Sequence, residues 1–187
     1  ILIGLVGSEM CIRDRTSIDY DKKSEEANTF FKIIQNKLHY AITSHTAAEL
    51  IYERANSEKE NMGLTTWKEA PEGMIYKYDV AIAKNYLTET ELRKLNNLTT
   101  LFLDYAESMA EDNQVMTMKD WIEALDSQII AHKRKVLIGK GNISHKQAIE
   151  KAEKEFAIYR KREMELLESD FDKEIKRLKN KNDNSSN

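Results

Sequence analysis

Residues 88–109 read Thr-Glu-Thr-Glu-Leu-Arg-Lys-Leu-Asn-Asn-Leu-Thr-Thr-Leu-Phe-Leu-Asp-Tyr-Ala-Glu-Ser-Met. Thr88 with Glu91 three positions on is a capping box, in which each side chain can take up a backbone N–H that the first helical turn leaves unpaired. Leu92, Leu95, Leu98, Leu101 with Phe102, Tyr105 and Met109 then recur every three or four residues, the period of one helix face. The stretch predicts a long amphipathic helix, and the same two signals organise the chain on both sides of it. Upstream, Phe30, Phe31, Ile34, Leu38 and Ile42 trace a helix from Ser24 to about Thr43. Thr46 with Glu49 then opens a short helix that carries Leu50, Ile51 and Ala55 and ends near Asn56. Downstream, Thr117 with Asp120 starts a helix bearing Trp121, Leu125, Ile129 and Val136 or Leu137, with Gly139-Lys140-Gly141 as its expected stop. Ser144 with Gln147 opens the last helix, which the pattern carries to about Leu178.

Between these helices, residues 57–77 break the period with Met62-Gly63, Trp67, Pro71 and Gly73. They predict an ordered loop with room for one short strand or hairpin near Leu64 to Trp67. A short helix is expected over Tyr78 to Tyr86. The last helix is dense in Glu and Lys, and its stripe changes phase. Ile149, Ala152, Phe156 and Tyr159 lie on one register, whereas Met164, Leu167, Phe171, Ile175 and Leu178 lie on another. A single uninterrupted heptad seam is therefore disfavoured. The expectation is a helix that packs back on the body and then projects, with a homo-oligomeric coiled coil as the alternative. The resulting division is a helical domain over 16–142, a long charged amphipathic helix over 143–180 and a disordered tail over 181–187. The fold class is mainly α, an irregular helical domain with a long C-terminal helix.

Composition agrees with a helical protein and excludes several functions. The 187 residues carry 29 Lys and Arg against 32 Asp and Glu, a net charge of -3, so no bulk basic charge marks a nucleic-acid binder. Six glycines and one proline are too few for the turns of an all-β fold. The hydrophobic share of 41% and mean hydropathy of -0.64 describe a chain that does not partition into membrane. A cytoplasmic location is the expectation.

The first fifteen residues stand apart. Leu5 to Arg15, LVGSEMCIRDR, back-translates codon by codon into the adapter and mosaic end of a transposase-based sequencing library. Residues 1–15 are thus expected to be an adapter-derived, non-native segment. The rival reading is a secretory signal, but no basic region precedes Ile1 to Val6 and the apolar run is short. The expectation is then that the natural sequence begins near Thr16 after losing upstream protein. Cys11, the one cysteine, falls in this segment, so the rest of the chain has no thiol for a disulfide, a nucleophile or a zinc site.

Few residues remain to carry chemistry. His45 and Glu49 lie four apart, the separation that brings two side chains together across a helical turn. In the catalytic reading His45 is a base or ligand oriented by Glu49, with Arg54 as the third member and His39 six residues upstream. In the structural reading Glu49 serves the capping box and His45 flanks the helix start. Asn36 and Lys37, and Lys84, Asn85 and Tyr86, combine polar donors with apolar neighbours. With His39 and Trp67 they form the set that would bind a phosphate-containing substrate, or they satisfy helix ends. Asp104 and Glu107, with Asp79 and Glu111, allow a carboxylate metal site to be drawn, but such pairs are common on solvated faces and no metal is expected. Gly139-Lys140-Gly141 lacks the spacing of a phosphate loop, and no cofactor motif occurs.

Several ordered strings together carry a resemblance. They are Thr16-Ser-Ile-Asp-Tyr-Asp, Gln35-Asn-Lys-Leu-His-Tyr-Ala, His45-Thr-Ala-Ala-Glu, Glu53-Arg-Ala, Met62-Gly-Leu-Thr-Thr-Trp-Lys, Ile82-Ala-Lys-Asn-Tyr-Leu, Leu103-Asp-Tyr-Ala-Glu and Ile143-Ser-His. From Thr16 to about Tyr159 the chain resembles the C-terminal half of the RhuM family of bacterial virulence-associated proteins. The resemblance implies a two-part protein, in which an N-terminal half that looks like a helix-turn-helix, DNA-associated module precedes the helical region present here. DNA is then a partner only through that missing half, and this chain is expected to be an interaction or effector module. Two alternatives stand beside it: an enzyme centred on His45 and Glu49, and an inert piece of a broken reading frame.

Overall fold

Five α-helices are present among the described residues: α1 (Glu25–Thr43), α2 (Ala47–Arg54), α3 (Glu89–Glu111), α4 (Met118–Ala131) and α5 (His145–Asp183). The computed structural model describes residues 25–183, with side chains to residue 167. The expectations for 1–15, for Ser24 as a helix start and for 184–187 lie outside these residues. All three predicted capping boxes with an acidic partner form, at Thr46/Glu49, Thr88/Glu91 and Thr117/Asp120. Each joins two side chains to two otherwise orphaned backbone N–H groups, which is why these helix starts fall where the sequence puts them.

α1 packs against α2, α3 and α4, and the base of α5 lies along α2 and the turns of the 60–87 loop. One core joins them. Phe30, Ile34 and Leu38 of α1 meet Leu95, Leu98 and Phe102 of α3, while Trp121, Leu125 and Ile129 come from α4. Trp121 is met edge-on by Phe102 and Tyr105, with ring centroids 6.0 and 6.2 Å away. That geometry places the positive ring edge on the negative face.

Three expectations are corrected. No strand forms near Leu64 to Trp67, nor anywhere among the described residues; turns replace it, with a 3-10 turn at Glu60–Gly63. The extended backbone there pairs with one residue, not a strand: Thr65 N–H donates to Asn85 O at 2.8 Å. The helix expected over 78–86 is instead two 3-10 turns, Asp79–Ala81 and Ala83–Tyr86, separated by Ile82 at φ -104° and ψ 108°. Thirdly, α4 ends at Ala131 rather than near Gly139. Lys133 adopts φ +55°, Arg134 N–H donates to Ile129 O at 3.0 Å, and Lys133 N–H donates to Ile130 O at 2.8 Å. This is a Schellman closure with lysine where glycine is usual, so the sequence carried no visible stop.

Gly141 serves another purpose. It has φ +79°, and a Cβ there would lie 2.7 Å from Thr46 Cγ2. The Gly139–Gly141 loop therefore lies on the start of α2. We expect Gly141→Ala to destabilise the fold by about 1–2 kcal/mol, from positive φ and the lost close approach; a urea-melt midpoint unchanged from wild type would disprove the packing role.

Candidate functional site

The His45/Glu49 corner is built by the end of α1, the start of α2 and the loop before α5. Ser44 closes α1 at φ +61°, and the chain turns so that Thr46 can cap α2. Glu49 Oε2 accepts Thr46 N–H at 2.8 Å, and Oε1 accepts Asn142 N–H at 2.7 Å. Partial burial pushes the Glu49 carboxyl up, but the Asn142 and Thr46 hydrogen bonds outweigh it and hold it below its ordinary value. Both oxygens are thus engaged in capping and in anchoring the 139–142 loop. His45 turns the other way: Nδ1 donates to Thr43 O at 2.8 Å, and Nε2 lies 2.9 Å from Glu53 Oε2. Local spacing does not point to Glu53, because His45 precedes α2 and the turn between α1 and α2 sets where its ring reaches.

Arg54 closes the far end of α2. Its guanidinium meets Glu91 through two bonds, Nη1 to Oε2 at 2.6 Å and Nη2 to Oε1 at 2.7 Å, and Nη1 also donates to Tyr86 O at 2.7 Å. The Arg54 bonds pull the Glu91 carboxyl down to about 2. Because that value is depressed, the pair's stabilisation is present above pH 4.5 and is lost as pH falls toward 2. With both side chains a fifth to a quarter exposed, Glu91→Gln should cost about 1–2 kcal/mol at pH 7 and little at pH 2; thermal melts at the two pH values test the difference.

Asn36 also reaches the His45/Glu49 corner, where its Oδ1 accepts Ala47 N–H at 3.2 Å. The remaining predicted residues lie elsewhere, and most are engaged. Lys37 is buried and reaches both Asp126 oxygens, at 2.8 and 2.9 Å, and Leu137 O at 3.2 Å. His39 is 1% exposed, and its Nδ1 has no hydrogen-bond partner among the described residues. Trp67 Nε1 donates to Gly73 O at 2.7 Å. Asn85 Nδ2 donates to Asp79 O, and the Tyr86 hydroxyl donates to Val80 O, both at 2.9 Å. Burial also pushes the Tyr86 phenol up. Lys84 is half-buried in the same turn.

A residue considered only as a stray carboxylate organises that loop. Asp79 is 1% exposed; Oδ1 accepts Lys68 N–H at 3.0 Å and Oδ2 accepts Tyr76 N–H at 2.9 Å. Asp104, Glu107 and Glu111 are exposed on α3, away from that loop. Among the described residues, no group of three His, Cys, Asp or Glu side chains comes together as metal ligands would.

α5 is buried at its base and exposes apolar side chains further out. Ala148, Ala152 and Tyr159 are buried against the body, Lys151 lies over the Tyr52 ring, and Glu155 accepts Ser57 N–H at 2.8 Å. Beyond Tyr159, Met164 is 52% and Leu167 65% exposed. A shallow groove of about 660 Å³ runs along this part of the helix, lined by Lys77, Phe156, Ala157, Arg160 and Met164 among others. No helix among the described residues is long and apolar enough to cross a membrane.

Comparison with known proteins gives one match. No curated protein and no solved structure matches the chain. The family model described as the virulence protein RhuM family matches residues 12–167, reaching from within the first fifteen residues to the exposed part of α5. That span takes in all of α1 to α4 as described, the three capping boxes, the 60–87 loop and the packed base of α5, and the chain belongs to the RhuM family of virulence proteins.

Proposed function

We propose that this chain is the helical interaction module of a RhuM-family protein, and that it acts by assembly through the outer part of α5 rather than by turning over a substrate. In the intact protein a DNA-associated half would precede it. The observation that carries the reading is the division of α5 at Tyr159: its base is buried in the body, while Met164 and Leu167 present apolar surface to solvent. Apolar side chains held on an exposed helix gain free energy when a partner covers them. The polar residues that would support catalysis favour the same reading, because the Glu49 and Arg54 side chains are spent on capping, loop anchoring and an ion pair.

The test is sedimentation velocity on the full chain and on a truncation after Arg162, which keeps the buried residues Ala148, Ala152 and Tyr159. The full chain is expected to assemble with rising concentration and the truncation to stay monomeric with an unchanged thermal midpoint. Equal masses for both would overturn the proposal.

A further inference from the structure

The two halves of α5 face different ways. At about 100° per residue, the buried positions Ala148, Ala152 and Tyr159 and the outer positions Met164, Leu167, Phe171, Ile175 and Leu178 are centred roughly 120° apart around the helix. The groove residues Ala157, Arg160 and Met164 share the outer register, and Phe156 lies between the two. The outer stripe therefore starts in the groove, where the body ends, and continues along a helix that runs to Asp183. From Arg160 onward that helix is about 36 Å long, and the surface covering the base of α5 faces a different side.

The spacing of the stripe reads the same in both directions. Counting from Phe171, Leu167 and Ile175 are four residues away, and Met164 and Leu178 seven. A two-fold axis through Phe171 therefore sets Met164 opposite Leu178, Leu167 opposite Ile175 and Phe171 opposite itself. This self-complementarity is what a closed two-fold interface requires.

Charge selects the direction. Residues 163–174 hold six carboxylates and one lysine, and residues 175–181 hold four basic side chains and no acid. Parallel, in-register pairing sets each block beside its own copy. Antiparallel pairing about Phe171 sets Glu163 opposite Lys179 and Glu165 opposite Arg177. The like-charged oppositions that remain are Asp170 with Asp172 and Glu168 with Glu174, which flank Lys173, and Lys161 with Lys181 at the far end. It also lays the basic end of the second helix across Met164 and Arg160, toward the groove.

From this we infer that the partner of the outer α5 stripe is a second copy of this chain, paired antiparallel about Phe171. The inference rests on the assembly reading above.

Cross-linking of the full chain tests it, in a Cys11→Ser background so that each protein carries one thiol. Antiparallel pairing predicts that a mixture of Met164→Cys and Leu178→Cys proteins forms a disulfide between the two, and that neither forms one efficiently with itself. Phe171→Asp should raise the dimer dissociation constant by about thirtyfold or more, as loss of a central anchor does, with the thermal transition of the body as the folding control. Efficient self-linking of the Met164→Cys protein would mean parallel pairing; it would overturn this inference and leave assembly through α5 standing. A monomer in sedimentation, with no disulfide in any mixture, would overturn both. A dimer indifferent to Phe171→Asp would place the contact elsewhere and overturn the inference alone.

Discussion

Asp79→Ala is expected to lower folding stability by about 2–4 kcal/mol, because it strips the Lys68 and Tyr76 amides of a charged acceptor inside the fold. The carboxylate is 1% exposed and holds both amides within 3.0 Å. Its own carbonyl accepts from Asn85, whose carbonyl in turn receives Thr65 N–H. The Asp79 side chain thus ties residues 68 and 76 together, and its backbone carbonyl links them through Asn85 to Thr65, in a stretch built from turns. The loss should show first in this loop, as faster amide exchange over residues 65–87 than over α3. A variant whose urea midpoint and exchange pattern match wild type would remove Asp79 from this role.

A second large effect comes from His39, inside α1. Burial holds its imidazole neutral and pulls its titration down to about 4 from an ordinary 6.5. The sign follows from where protons bind. As pH falls below about 6.5 the unfolded chain takes up a proton that the folded chain refuses, so stability declines until the folded state also titrates near pH 4. The full difference is worth up to about 3 kcal/mol at pH 4 and nothing above neutrality. In His39→Leu that part of the acid loss should vanish, with the variant gaining on wild type steadily from pH 6.5 to 4. Parallel stability curves for the two proteins over that window would disprove it. The Glu91 effect occupies a lower range, between pH 4.5 and 2, and does not blur the comparison.

His45 and Glu49 mark where local reasoning stops. A separation of four residues suits either a catalytic pair or a cap, but the partner of each is set by chain geometry beyond the helix. Ser44 turns α1 into α2 so that the imidazole reaches Glu53, and the 139–142 loop returns over ninety residues to present Asn142 to Glu49. Arg54 with Glu91 and Lys37 with Asp126 likewise join residues with no sequence relation. Such pairs form because partly buried charge must be compensated by whatever the packed helices bring near.

The helices themselves were legible because their causes are local. Three- and four-residue spacing of apolar residues and the Thr-x-x-acid boxes act within one turn or one stripe, so α2 to α5 begin within a residue or two of where the sequence puts them. The errors fall where local signals are silent or shared. Lys133 ends α4 in a conformation usually given to glycine, and Gly139 and Gly141, which look like a helix stop, belong to a loop whose Gly141 lies on Thr46.

By itself, then, the sequence determined the helical class, the cap positions, the phase change in the last helix and the family resemblance. Only the tertiary structure decided which polar groups are partnered, how residues 57–87 are held without a strand, and that Met164 and Leu167 beyond Tyr159 are exposed. The reason is range: helix formation is settled by neighbours three and four residues away, whereas burial and charge pairing depend on residues brought together from across the chain.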